Sequence, residues 1–137
     1  MGTREPAERV LVDTSVWIDY FRGDERTVAA LNELMEVDRV VLLDVVQGEL
    51  TRGVRTEREA SVIHDLRSLF HCLVPPDDAW EHAGLLCAKA RREGFLPGLA
   101  DAYIAWCAAH DRVSIWTGDK HFKRIQETTD LPVALFT

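Results

Sequence analysis

The sequence predicts a layered α/β domain in which a central, mostly parallel sheet of about five strands carries helices on both faces. Three observations predict it. Short aliphatic runs of strand length recur along the chain, longer segments with helical spacing of apolar residues separate them, and no repeat or low-complexity stretch breaks the alternation. Strands joined through helices return in the same direction, so the pairing is expected to be parallel.

Residues 1–9, MGTREPAER, read as a polar lead-in, and residues 10–137 as one domain long enough to bury a single core. RVLV (9–12) is the first expected strand and stops on Asp13; a helix is expected from near Val16. Residues 24–36 set Val28, Leu31, Leu34 and Met35 on one helical face, and RVVLL (39–43) is the second strand. DVVQGELTRG follows, where Gly48 and Gly53 suggest close approach of another backbone. Residues 57–70 place Ala60, Ile63, Leu66, Leu69 and Phe70 on one helical face before the third strand, HCLV (71–74). Pro75-Pro76-Asp77-Asp78 makes a turn and a helix cap, and Gly94 is a fitting terminator for the helix it opens. After Pro97-Gly98, LADAYIAWCAA (99–109) is apolar nearly all round and should be buried. VSIW (113–116) and PVALF (132–136) complete the strands, with KHFKRIQ as a short helix between them.

Composition narrows the function. The formal net charge of −7 argues against a protein that coats nucleic acid with a basic surface, although it leaves room for local basic patches. Cys72, Cys87 and Cys107 are odd in number, far apart and in no C-x-x-C pair, which suggests neither a disulfide framework nor a zinc site and fits a reducing cytoplasm. No apolar stretch reaches the length of a membrane span.

In a parallel sheet covered by helices the ligand crevice lies beyond the carboxyl ends of the strands. Asp13 directly follows the first strand, and Asp119 follows VSIW after Thr117 and Gly118. Asp101 falls in the first turn of the helix leading into VSIW, and Glu49 lies beyond the second strand. The four carboxylates are therefore expected on one rim. Two of them about 4 Å apart would repel by roughly 4 kcal/mol at an effective dielectric of about 20, so the group should protonate or recruit a cation. Oxygen ligands of this kind suit Mg²⁺ or Mn²⁺, which bind phosphates and activate water for attack on a phosphodiester. Arg52, Arg55 and Arg58, spaced to share a helical face or its continuation, and Lys120, Lys123 and Arg124 are the cations placed to guide a nucleic-acid strand.

Each acid also has a plain structural role open to it. Asp13 suits a helix cap, Glu49 an ion pair with Arg52, Asp101 a favourable helix N-terminus, and Asp119 the cap of KHFKRIQ. The five histidines show no metal-ligand spacing; only His121 is near a candidate acid. Trp17, Trp106 and Trp116 sit in apolar patterns and read as core.

VDTSVWIDYF, GELTRG, LADAYIAWCA and TGDKHF, in this order and at these intervals, resemble the motifs of PIN-domain ribonucleases, in particular the VapC-like toxins of bacterial toxin–antitoxin pairs. The likeness spans residues 10 to 136. It implies a three-layer α/β/α PIN-like domain and an acidic quartet, Asp13, Glu49, Asp101 and Asp119, that binds Mg²⁺ or Mn²⁺, with Thr14 and Thr117 as polar neighbours. It also implies endonucleolytic cleavage of RNA leaving a 5′-phosphate and a 3′-hydroxyl, a homodimer, and inhibition by a VapB-like antitoxin whose tail enters the acidic groove. Thr14, Thr117, Arg52 and Lys120 are the expected contacts to substrate. The sequence departs from the pattern once: many relatives carry a further acid two residues after the last aspartate, where this chain has His121, whose imidazole could ligate Mn²⁺ or act as a proton donor in its place.

Two rivals remain. An aspartyl-phosphate phosphatase also places an aspartate after its first strand but wants a second one two residues on, where this chain has Ser15, and the acidic pair and lysine of a receiver domain do not fit either. A degenerate domain that binds a partner protein or RNA without cleavage is the non-enzymatic alternative.

Overall fold

Val10–Val12 forms the first strand, β1, and is fully buried in the computed structural model of the chain, which describes residues 8–136. The helices α1 (Thr14–Phe21) and α2 (Glu25–Glu36) lead to β2 (Val40–Leu42). Then come α3 (Asp44–Arg52), α4 (Glu57–Leu69) and the short β3 (His71–Cys72). The chain continues through α5 (Ala79–Arg92), α6 (Leu99–Asp111), β4 (Ser114–Trp116) and α7 (His121–Thr129). Residues 1–7 of the expected lead-in fall outside the described residues; Arg9 lends its carbonyl to the Ser114 amide.

The strands pair in parallel in the order β3-β2-β1-β4. Helix α1 packs on α2 and on α3, and α3 packs on α4; α5, α6 and α7 pack on one another, and the sheet is the middle layer of three. The expected fifth strand does not form. From 132–136 only Leu135 bridges to Ile115, and the Ala134 carbonyl and the Phe136 amide bond to the Ile115 amide and carbonyl at 2.8 Å each. Pro132 brings no amide to a ladder and the pairing ends after one bridge, so the sheet has four strands.

The helices follow the sequence pattern for physical reasons. Asp24 caps α2 through the Thr27 amide at 3.1 Å, and Thr56 caps α4 through the Glu59 amide at 3.1 Å. Gly94 adopts φ +85°, the left-handed conformation that glycine takes at little cost, just after α5. Helix α6 buries Ala102, Tyr103, Ile104, Ala105, Cys107 and Ala108, as its apolar sequence requires. In α4 the buried residues are Ile63 and Leu66, whereas Leu69 is turned out at the end of the helix and is exposed.

A tie between α6 and α3 was hidden from the sequence. The buried Tyr103 donates its hydroxyl to Asp44 Oδ2 at 3.1 Å, while Asp44 Oδ1 accepts from the Val45 amide at 2.7 Å. Burial, followed by the charge of Asp44, pushes the Tyr103 phenol upward, so it is a donor at every ordinary pH. Tyr103→Phe is expected to cost about 1 kcal/mol, the net value of one such bond, measured as a lower urea midpoint at unchanged m-value.

The chain winds from β1 outward to β2 and β3 and then crosses back to place β4 on the other side of β1. The winding therefore reverses between β1 and β4. In sheets of this kind the crevice opens beyond the carboxyl ends of strands at such a reversal. Asp13 and Asp119 follow those two strands.

Candidate active site

Asp13 is the first residue after β1, and its backbone amide bonds to the Trp116 carbonyl of β4 at 2.9 Å, so its position is fixed by the sheet. Its side chain is only 6 % exposed. Thr117 donates its hydroxyl to Asp13 Oδ2 at 2.7 Å, and Ser15 donates to the same oxygen at 3.4 Å. Although Asp13 occupies the N-cap position of α1, its side chain makes no capping bond. Burial pushes its carboxyl up from the ordinary range, chiefly against the Thr117 hydrogen bond, and the charge of Asp119 adds to the rise.

Thr117 has a second duty. Its hydroxyl oxygen accepts the Asp119 amide at 2.9 Å, and Asp119 Oδ1 in turn accepts the His121 amide at 2.9 Å at the start of α7. Asp119 thus bonds to the first residue of that helix, although Lys120 and not Asp119 stands at its N-cap, while its other oxygen remains without a protein donor among the described residues. Ser15 braces the same loop from α1 by accepting the Gly118 amide at 3.2 Å.

Asp101 sits in the first turn of α6, where the helix N-terminus favours a negative charge. Burial raises its carboxyl; Asp119, Asp13 and, more weakly, Glu49 raise it further, and the His121 imidazole partly opposes them. Each of the other three acids is thus near enough to Asp101 to raise it, Glu49 least, while of the four only Asp101 and Asp119 belong, with His121, to a group whose ligand atoms lie within 4.8 Å of one another among the described residues. Glu49 accepts the Thr14 hydroxyl at 3.0 Å, which ties α3 to α1. Its suggested ion pair with Arg52 does not form among the described residues.

His121 completes the group. Its Nδ1 lies 3.4 Å from Asp119 Oδ1 and 3.6 Å from Asp101 Oδ2, and ligand atoms of Asp101, Asp119 and His121 all lie within 4.8 Å of one another. Spacing along the chain could not show this, because Asp101 and His121 meet only through the packing of α6 against α7. Among the described residues no lysine or arginine pairs with any of the four acids. The negative charge of the rim is therefore uncompensated by the protein's strong cations.

The cations stand further out. Two open clefts border the loop Gly118–Lys120. One, of about 550 Å³, is lined by Asp119, Lys120, Lys123, Arg124 and Phe136, and the other, of about 730 Å³, by Ser15, Asp19, Arg22, Lys120 and His121. Arg52 is exposed at the end of α3 and lines neither. The expected common face of Arg52, Arg55 and Arg58 is broken, since α3 ends at Arg52 and α4 begins only at Glu57. Gly48, expected to admit another backbone, has nothing within 4 Å of where its Cβ would stand, and Gly53 meets only the Leu50 carbonyl of its own helix, at 3.6 Å.

A sequence profile of the PIN domain matches residues 10–128, nearly the whole described chain. This chain belongs to the PIN domain family. Ribonuclease VapC1 of Methanocaldococcus jannaschii is 28% identical over 120 residues, covering 87% of this PIN domain chain and 82% of that relative. The crystal structure of FitAcB from Neisseria gonorrhoeae superposes with a TM-score of 0.70 at 26% identity, covering 93% of this chain and 96% of that one. VapBC-1 from nontypeable Haemophilus influenzae gives 0.74 at 22% identity, with coverage of 93% and 96%, a likeness of fold.

Within this PIN domain, Ser15 is the polar residue that sequence reasoning undervalued. Its signal was its place two residues after Asp13 at the opening of α1, facing the loop from β4. Thr14 and Thr117, expected as polar neighbours of the acids and contacts to substrate, donate their hydroxyls to Glu49 and Asp13. Thr117→Val removes both a donor to a buried carboxylate and the acceptor of the Asp119 amide. It is expected to destabilise the protein by about 1–3 kcal/mol. Thermal unfolding of the variant would measure this, and an unchanged midpoint would show that Asp13 finds another donor.

Proposed function

We propose that this chain is a divalent-cation-dependent endoribonuclease, the toxin of a VapBC-like pair, that hydrolyses RNA phosphodiester bonds at the rim of Asp13, Glu49, Asp101 and Asp119. The observation that carries the reading is the crowding of Asp101 by Asp119, buried Asp13 and Glu49, with no lysine or arginine paired to any of them among the described residues. A protein assembles such repulsion at a cost to its stability, and the hard oxygen donors fit Mg²⁺ or Mn²⁺. The PIN profile and the similarity to a ribonuclease VapC1 support the same chemistry.

Asp13, Asp101, Asp119 and Glu49 would hold the cation. When bound, it supplies a polarised water for in-line attack and positive charge against the leaving oxygen. The chain's own groups do the rest. Thr117 and Ser15 favour the charged form of Asp13 by hydrogen bonding to it, against the effect of its burial, and Thr14 fixes Glu49. Lys120, at the boundary of both clefts, is placed to contact phosphate on either side of the cleaved bond, and Arg52 to meet the strand further along. The protein is proposed to work in the cytoplasm as a homodimer, restrained by a VapB-like antitoxin. Its cysteines are free and no helix of the described residues is long and apolar enough to cross a membrane.

Sequencing of RNA 5′ ends after induced expression, with Asp101→Asn as the control, tests the reading. Discrete new 5′-phosphate ends in wild type and none in the variant are the expected result. Identical end profiles would refute cleavage by this site, and RNA bound without turnover in both Mg²⁺ and Mn²⁺ would favour a binding-only domain.

A further inference from the structure

We infer that His121 is a direct ligand of the cation held by this site, through Nδ1, and that it tilts the site toward Mn²⁺ over Mg²⁺. The inference rests on the cation-dependent reading above and adds a nitrogen donor to its oxygen set. Ligands about 2.1 Å from an octahedral ion stand about 3 Å apart when adjacent. Nδ1 stands 3.4 Å from Asp119 Oδ1 and 3.6 Å from Asp101 Oδ2, each about half an ångström beyond that separation, and ligand atoms of the three residues all lie within 4.8 Å of one another. Both separations are longer than an ordinary nitrogen–oxygen hydrogen bond, and the imidazole faces both acids at once.

The side chain is also held from two directions. Its backbone amide is tied to Asp119 Oδ1 at 2.9 Å, and the Phe95 ring, after α5, lies 5.9 Å from the imidazole by centroids. The same Phe95 ring lies under the Arg124 guanidinium at 5.2 Å, which draws that positive charge toward α5 and the aromatic face. An imidazole nitrogen is a softer donor than a carboxylate. It strengthens binding along the series from Mn²⁺ to Co²⁺ and does less for Mg²⁺, which demands oxygen in near-ideal octahedral geometry.

The test uses the full-length protein and Mn²⁺ itself. Pulsed EPR of the Mn²⁺-loaded wild type should show ¹⁴N modulation from a directly bound imidazole, and His121→Ala and His121→Asp should both lose it. By titration, His121→Ala should bind Mn²⁺ about tenfold more weakly while its Mg²⁺ affinity changes less than about threefold. His121→Asp, which returns an oxygen ligand, should shift the preference toward Mg²⁺. His121 is more than half exposed, at 56 % of its side chain, so both variants should keep the wild-type circular dichroism. Mn²⁺ bound by wild type without ¹⁴N modulation, or with modulation that survives His121→Ala, would overturn the ligand role and leave the nuclease reading standing. Binding of neither Mn²⁺ nor Mg²⁺ by wild type would overturn both.

Discussion

Asp101→Asn and Asp13→Asn are expected to lower RNA cleavage by about 10²–10³-fold each, and at the same time to make the cation-free protein more stable than wild type. The loss follows from the site: each change removes one full charge from the group proposed to hold the cation, and removing a single oriented electrostatic group from an active site costs on the order of 10²–10³. The gain follows from the same geometry. Asp13 is 6 % exposed and raised by burial and by Asp119; Asp101 is raised by burial and by the other three acids. An amide is uncharged, keeps the shape, and can still accept the Thr117 hydroxyl at position 13. Relief on the order of 1 kcal/mol moves the midpoint of a domain this size by about 3–5 °C. Asp101→Asn gives up part of this, because a charge in the first turn of α6 is favoured by the helix N-terminus by about 0.3–1 kcal/mol. Asp13→Asn should therefore show the larger rise. Cleavage within tenfold of wild type in either variant would remove that residue from the reaction, and a fall in both midpoints in EDTA would show that the acids do not repel.

The sequence made the rim legible because its residues sit at ends of elements that announce themselves. VLV stops on a carboxylate and SIW is followed by a two-residue turn and another, and in a parallel sheet both facts point to one edge. The apolar run of α6 with one acid in its first turn supplied the third member. What could not be read depends on distances between elements. His121 belongs to the cluster because α7 packs against α6, and no spacing of histidines along the chain encodes that. Ser15 braces the loop after β4, and Tyr103 finds Asp44, across separations of 103 and 59 residues. The fifth strand failed for a related reason: PVALF has strand composition, but one bridge to Ile115 is all that its position beyond α7 allows. The single face of Arg52, Arg55 and Arg58 does not form because Gly53 and the cap at Thr56 divide the stretch into two helices.

Chelation should abolish cleavage and, by the same electrostatics, change how the protein's stability depends on pH. The carboxyls of Asp13 and Asp101 are raised in the folded protein above their unfolded values. A group raised in this way contributes stability that is fully present below its unfolded pKa, about 3.9 for aspartate, and that is lost as pH rises through the folded value. In EDTA these two residues therefore favour the folded state increasingly as pH falls from 7 toward 4. Other groups act with the opposite sign; Asp24, held low by the Thr27 hydroxyl and amide, is one. The informative quantity is thus the difference between wild type and Asp13→Asn across pH, which should shrink as pH falls. A divalent cation replaces protons at the site, binding best where the acids are ionised. At a hundred times its dissociation constant it should stabilise wild type by about 2.7 kcal/mol at pH 7 and by progressively less toward pH 4. Thermal unfolding of wild type and variant, with EDTA and with Mn²⁺, measures both trends in one experiment. A cation effect of equal size in Asp13→Asn, or one that grows on acidification, would place the ion elsewhere on the protein.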